Sequence, residues 1–148
     1  MTRILFVCHG NICRSTMAQF VMEELVRRAG REREFAIDSA ATSSEELGNP
    51  PHHGTVAKLR REGIPVGGHR ARRLRRDEYA DWDHIIYMDA ENARGVERIL
   101  GEDPDGRVSR LLDWAGIGRD VADPWYTGDF DATYRDVLAG CEALLAAL

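Results

Sequence analysis

Apolar positions along this chain follow two rhythms, and the rhythms alternate. Ile4 to Val7 is a short, wholly apolar run of β-branched and aromatic residues, the pattern of a strand buried on both faces, as in parallel sheets. From Ser15 to about Arg28 the period changes. Met17, Ala18, Val21, Met22, Leu25 and Ala29 recur at helical spacing, Glu23 and Glu24 fall on the other side, and Gly30 stands where a C-terminal cap belongs. Phe35 to Ser39 then reads as a strand, Gly54 to Glu62 as a helix stopped by Gly63, and Ile85 to Met88 as a strand. Asn92 to Leu100 reads as a helix and Val108 to Leu112 as a fourth strand. Phe130 to Leu148 closes the chain as a helix with Val137, Leu138, Cys141, Leu144, Leu145 and Leu148 on one face. Such alternation implies parallel βαβ units with right-handed crossovers. Ligands of these sheets bind at the carboxyl ends of strands, so the loop after Val7 is the first place to look for chemistry.

Composition narrows the class. No repeat, low-complexity tract or linker divides the chain, so residues 1–148 are expected to form one domain. The longest apolar run, Ala143 to Leu148, falls short of the roughly 20 residues of a membrane span and the roughly 7 of a signal-peptide core. A soluble, unprocessed protein without membrane contact is expected. Three cysteines are an odd number without metal-ligand spacing, which argues against a disulfide framework or a zinc site and fits a reducing, cytoplasmic setting. A free reactive thiol becomes the thing to find. The net charge of −5 gives no general nucleic-acid footprint. Arg70, Arg72, Arg73, Arg75 and Arg76 form a local basic run. It could steer acidic phosphopeptides or touch RNA, but the favoured reading is a solvated helix face or loop balanced by Asp77 and Glu78.

The loop after the first strand reads Cys8-His9-Gly10-Asn11-Ile12-Cys13-Arg14-Ser15. A loop between a strand end and a helix start aims amide N–H groups and the helix dipole at one small volume, which makes an anion site. Gly10 and Asn11 tolerate the positive φ that a tight concave loop needs. Arg14 adds a planar fork able to hold two phosphate oxygens at once. The same helix end and charge favour thiolate over thiol at Cys8, making it a nucleophile at neutral pH. Attack on a phosphate ester would give a phosphocysteine, its equatorial oxygens met by loop N–H groups and Arg14, with no metal or other cofactor required. The leaving oxygen needs a proton. Asp123 is the best donor: Pro124 holds it in extended geometry on a loop, and Trp125 and Tyr126 follow as walls for a flat ring.

These residues carry a resemblance. The chain resembles the low-molecular-weight protein tyrosine phosphatase family over essentially its whole length. The matching pieces are Ile4 to Val7, Cys8 to Ser15, Asp38 to Thr42, Gly48 to Pro51, Gly63-Ile64-Pro65, His69 to Arg72, Met88-Asp89, and Asp123 to Tyr126. The resemblance implies a four-stranded parallel sheet flanked by helices and hydrolysis of phosphotyrosine in proteins. It also implies Cys8 as nucleophile, Arg14 as phosphate clamp, and Asp123 as proton donor and then base for water. By the same match Asn11, Ser15, Ser39 and His69 fix the loop and stabilise the Cys8 thiolate, and Arg72 is partly structural. Glu45, Glu46 and Leu47 fall in the family's variable substrate-contacting loop, where two acids would disfavour highly acidic peptides. Thr16 departs from the proline usual after the Cys-to-Ser run, which predicts a slightly less rigid helix start.

Rival functions remain. Arsenate reduction on this scaffold needs additional cysteines on a mobile segment, and Glu78 to Ala90 contains none. Arginine phosphatases of the family carry threonine where Ile12 stands, and Ile12 favours an aromatic substrate. A non-catalytic phosphate-binding module would not need Cys8, Arg14 and Asp123 together. Cys13 lies close enough in the loop to capture a sulfenic acid on Cys8 as a disulfide, while Cys141 reads as core. A monomer is expected, with weak self-association open.

Overall fold

The computed structural model describes residues 1–148. Four parallel strands, β1 (Thr2–Cys8), β2 (Phe35–Ala41), β3 (His84–Tyr87) and β4 (Val108–Arg110), pair in the order β2-β1-β3-β4. The helices are α1 (Arg14–Arg28), α2 (His53–Arg61), α3 (Ala90–Leu100), the single turn α4 (Pro124–Thr127) and α5 (Phe130–Ala147). The central apolar strand is β1, as its composition predicts. Its alternate residues feed two cores: Ile4, Phe6 and Cys8 face the larger one with α1 and α5, while Leu5 and Val7 join Ala40, Leu74, Ile85 and Val96 in the smaller one beside α3.

The chain leaves β1 for β2 on one side and returns to β3 on the other. The strand order therefore reverses at the carboxyl end of β1, which opens a crevice between the ends of β1 and β3. Cys8 ends β1 and Asp89 follows β3 by two residues, so both sit at its lip. On the far side, α5 packs across α1 and against the turn Leu111–Ala115. Gly140 makes that approach possible, because a Cβ there would lie 2.5 Å from Leu111 Cγ.

Several boundaries differ from the sequence reading. The fourth strand stops at Arg110, and Leu111 and Leu112, fully buried, turn into a 3₁₀ helix that meets α5. Their apolarity reflects burial in the core, which a short run cannot distinguish from strand. Asp123 has the extended backbone expected before proline (φ −83°, ψ 114°) and ends its loop, where it also caps the helical turn that follows. Of the two loop residues expected to take positive φ, only Asn11 does (φ 59°); Gly10 does not. The arginine run is irregular, with Arg73 bridging to Ala41, and is not a helix face.

Candidate active site

Four carbonyl groups of the Cys8–Ser15 loop, those of Cys8, His9, Ile12 and Cys13, accept hydrogen bonds from the surrounding protein. Cys8 O accepts from Thr42 N (3.0 Å), His9 O from Ser43 N (3.1 Å) and Ser43 Oγ (2.9 Å), and Ile12 O from His52 N (2.8 Å). Cys13 O accepts from Met17 N (3.1 Å), Thr16 Oγ1 (3.1 Å) and Thr55 Oγ1 (3.2 Å). No amide of residues 9 to 13 donates within the protein. Cys13, the N-cap of α1, makes no side-chain cap, and the first turn carries no acid to answer its N–H groups. The loop thus presents a set of unsatisfied donors to one concavity, the condition for holding an oxyanion. Thr16 Oγ1 donates to Cys13 O at the helix start.

The predicted support for the loop is present and connected. Asn11 Nδ2 donates to Ser15 Oγ (2.7 Å) and Ser39 Oγ (2.9 Å), while its Oδ1 accepts from His69 Nε2 (2.7 Å) and Arg72 N (3.2 Å). Ser39 Oγ passes its own proton to Gln19 Oε1 (2.5 Å). Ser15 Oγ also accepts from the Cys8 thiol, 3.0 Å away, and its hydroxyl proton is available to Sγ once that thiol is ionised. Burial holds the His69 imidazole below its usual range; Asp38 opposes that and Arg72 adds to it, while Nε2 faces Asn11 Oδ1. Arg72 is structural, as expected, spanning Asp38 (3.1 Å) and the buried Glu78 (2.6 Å).

Arg14 is 2% exposed. Its Nη1 donates to Asp89 Oδ2 (2.6 Å) and Val121 O (2.9 Å), and its Nη2 reaches Asp123 Oδ2 at 3.3 Å. Burial opposes the guanidinium charge, but Cys8, Asp89 and Asp123 outweigh it and raise its pKa further. Nε has no protein partner, which leaves one edge of the fork for an anion. Asp89 belongs to the Met88-Asp89 match but was given no role in the sequence reading; here it is the partner of Arg14. It caps α3 through Oδ1, accepting from Asn92 N (2.8 Å), and the Asp89-x-x-Asn92 capping pattern was the available signal.

The remaining residues close a cavity of about 110 Å³. Cys8, His9, Gly10, Ile12, Cys13 and Arg14 form its floor and one side, while Asp123, Trp125 and Tyr126 stand with Glu45 and Glu46 around it. Trp125 and Tyr126 line the cavity and remain 59% and 84% exposed. Asp123 Oδ1 accepts from Trp125 N (3.0 Å), fixing the carboxyl beside that wall. His9 is held between Glu45 (3.0 Å) and Glu91 (3.4 Å). Cys13 is buried, and burial first, then Cys8 and Asp123, pushes its thiol up to about 12. Cys141 is fully buried in the core, as read.

A thiol at the carboxyl end of a central parallel strand, with free loop amides and a buried arginine beside it, marks an α/β protein with a cysteine-containing loop suited to an anion. Residues 3–148 match the profile of the low molecular weight phosphotyrosine protein phosphatases, and the chain belongs to that family. It is 42% identical to the low molecular weight protein-tyrosine-phosphatase YfkJ of Bacillus subtilis, over all of this chain and 96% of that protein. The crystal structure of YfkJ superposes with a TM-score of 0.95 over 99% of this chain and 94% of that one. A human low molecular weight phosphotyrosine protein phosphatase is 34% identical, over 96% of this chain and 92% of its own length. The crystal structure of a Drosophila arginine phosphatase is 28% identical with a TM-score of 0.89, covering 99% of this chain and 97% of that chain.

Proposed function

We propose that this chain hydrolyses phosphotyrosine in proteins through a phosphocysteine intermediate. What carries the reading is the arrangement of the loop: four of its carbonyls are tied to the surrounding protein and the amides of residues 9 to 13 are left free around Cys8 Sγ. The family and the 42% identity to a protein named as a tyrosine phosphatase support the substrate class. Cys8 sulfur attacks phosphorus while the three equatorial oxygens rest on loop amides and the free edge of Arg14. A bound dianion competes with Asp123 for Arg14 Nη2; the released carboxylate takes up a proton from solvent and delivers it to the departing phenol oxygen. Asp123, now a carboxylate, takes a proton from the water that displaces Cys8 and frees phosphate. Trp125, Tyr126 and Ile12 flank the aryl ring. The site is complete within one chain, so a monomer suffices. Three free buried thiols fit a reducing cytoplasm, and no helix is long and apolar enough to cross a membrane.

Phosphoarginine hydrolysis is the second reading, because a protein named as an arginine phosphatase shares the fold at 28% identity. Ile12 and the open aromatic wall favour phosphotyrosine. Rapid quench with a ³²P-labelled phosphotyrosine peptide tests the proposal: label is expected on Cys8, and Cys8→Ser is expected to abolish turnover while retaining oxyanion binding. Asp123→Ala is expected to slow poor leaving groups far more than activated aryl esters. Turnover surviving in Cys8→Ser, or preference for phosphoarginine peptides, would overturn it. Cys13 is further proposed to capture a peroxide-formed sulfenic acid on Cys8, giving a disulfide and water. With its thiol raised to about 12, that capture is expected to accelerate with pH, as followed by mass spectrometry of peroxide-treated protein. Irreversible Cys8 oxidation without a Cys8–Cys13 link would reject the capture.

A further inference from the structure

Phosphate chemistry at Cys8 leaves the arginine run unused, and the structure makes a groove of it. Residues 72 to 74 lie along the free edge of β2, fastened by Ala41 N to Arg72 O (2.7 Å) and Leu74 N to Ala41 O (2.8 Å). Leu74 is buried in the smaller core, so the segment is anchored, while Arg73, Arg75 and Arg76 are exposed. Helix α3 approaches closely because residue 95 is glycine; a Cβ there would lie 2.8 Å from Thr42 Cβ. That approach sets Arg98 opposite the run. Thr42, Arg73, Arg75, Arg76 and Arg98 line an open concavity floored by Leu74 and Ile99.

Its charge is largely uncompensated. Arg73, Arg76 and Arg98 make no salt bridge, and Arg75 has only Asp77 (3.5 Å) and Asp81 (3.9 Å) at long range. Planar guanidinium forks match carboxylates and phosphates. No aromatic side chain lines the groove, so a nucleobase has nothing to stack on. The exposed large apolar residues, Met1, Leu47, Trp125 and Tyr126, lie outside it, so it offers a bilayer no wedge. Carboxylates on a polypeptide are the ligand that remains.

The groove adjoins the active site. Thr42, on its wall, donates to Cys8 O, and Glu91, at the start of α3, touches His9 on the rim of the cavity. Arg98 lies seven residues further along α3, roughly 10 Å at about 1.5 Å per residue. An extended peptide covers that in about three to four residues at about 3.3 Å each. We propose that the groove docks an acidic segment of the phosphoprotein substrate, taking Asp or Glu side chains about three to four positions from the phosphotyrosine. Glu45, Glu46 and Glu91 repel acids placed immediately beside it. The proposal rests on the phosphotyrosine reading above and refines its substrate class.

The test compares three phosphotyrosine peptides: glutamates at distal positions on either side, glutamates at adjacent positions, and glutamines throughout. At low salt the wild type is expected to favour the distal-glutamate peptide about tenfold in kcat/KM, an advantage that fades as ionic strength rises. Arg76→Glu with Arg98→Glu is expected to erase the advantage while p-nitrophenyl phosphate hydrolysis stays unchanged, which also shows that the variant folds. Equal turnover of all three peptides by the wild type, or a retained advantage in the variant, overturns the groove. An unphosphorylated distal-glutamate peptide, followed by fluorescence anisotropy, separates the two readings. Arginine-dependent binding without hydrolysis of any aryl phosphate would sink the phosphotyrosine reading and leave the groove standing. Arginine-dependent binding of single-stranded RNA, with none of peptide, would overturn the groove alone.

Discussion

Asp89 governs the arginine of the site from behind it. One carboxylate oxygen caps α3 and the other holds Arg14 Nη1 at 2.6 Å. Asparagine at 89 keeps the cap and removes the charge, so Asp89→Asn is expected to leave Tm nearly unchanged. Its kcat/KM for p-nitrophenyl phosphate is expected to fall by up to about 10²-fold as the fork loses its alignment. Cys8, Arg14 and the loop between them were readable because they are neighbours in sequence. The role of Asp89 was not, because only the pairing of β1 with β3 brings it to Arg14, 75 residues away. The thiols differ as sharply. With Cys13 raised to about 12 and Cys141 pushed up by complete burial, neither offers a thiolate at neutral pH. Iodoacetate at pH 7 is expected to label Cys8 alone, with inorganic phosphate protecting it, as peptide mapping would read. Label on Cys13 would contradict this.

At the scale of elements, α2 is joined to the site by the residue that starts it. His52 caps α2 by accepting from Gly54 N at Nδ1 (2.9 Å), donates its amide to Ile12 O, stacks on Phe130 (5.3 Å), and meets Trp125 edge-on (5.7 Å). The cap requires a neutral ring. Burial, then His53, lowers the His52 pKa, so below about pH 6.5 the unfolded chain takes a proton that the folded one resists. Stability is therefore full above that pH and lost as pH falls through the window beneath it. Thermal melts from pH 8 to 5 are expected to show the wild type losing Tm relative to His52→Asn, which caps without titrating. Periodicity revealed the long elements well: α1, α3 and α5 came within a few residues of their ends. It found β4 but overran its end by two residues and gave no sign of α4, because three or four residues are too few for a period to emerge and tertiary contacts decide the backbone.

Across the whole molecule, the larger core reaches the catalytic end of the sheet through Cys8, which shares one buried cluster with Leu144. Leu144, on α5, is fully buried in the larger core, while the catalytic groups gather at the carboxyl ends of β1 and β3. Leu144→Ala is expected to cost about 2 to 5 kcal/mol in chemical denaturation while leaving KM at 25 °C unchanged. A shifted KM would mean that the core and the cavity are mechanically coupled. The basic groove also belongs to this scale: its arginines were visible in the sequence, but Arg98 and Thr42 join them only in the folded chain. The tied carbonyls of the loop have a consequence beyond catalysis. Because the free donors of the loop are main-chain amides, an anion held there leaves the side chains at positions 9, 10 and 12 out of that duty. A lineage built on this scaffold can exchange them to change its clientele while the bond-breaking apparatus is inherited intact.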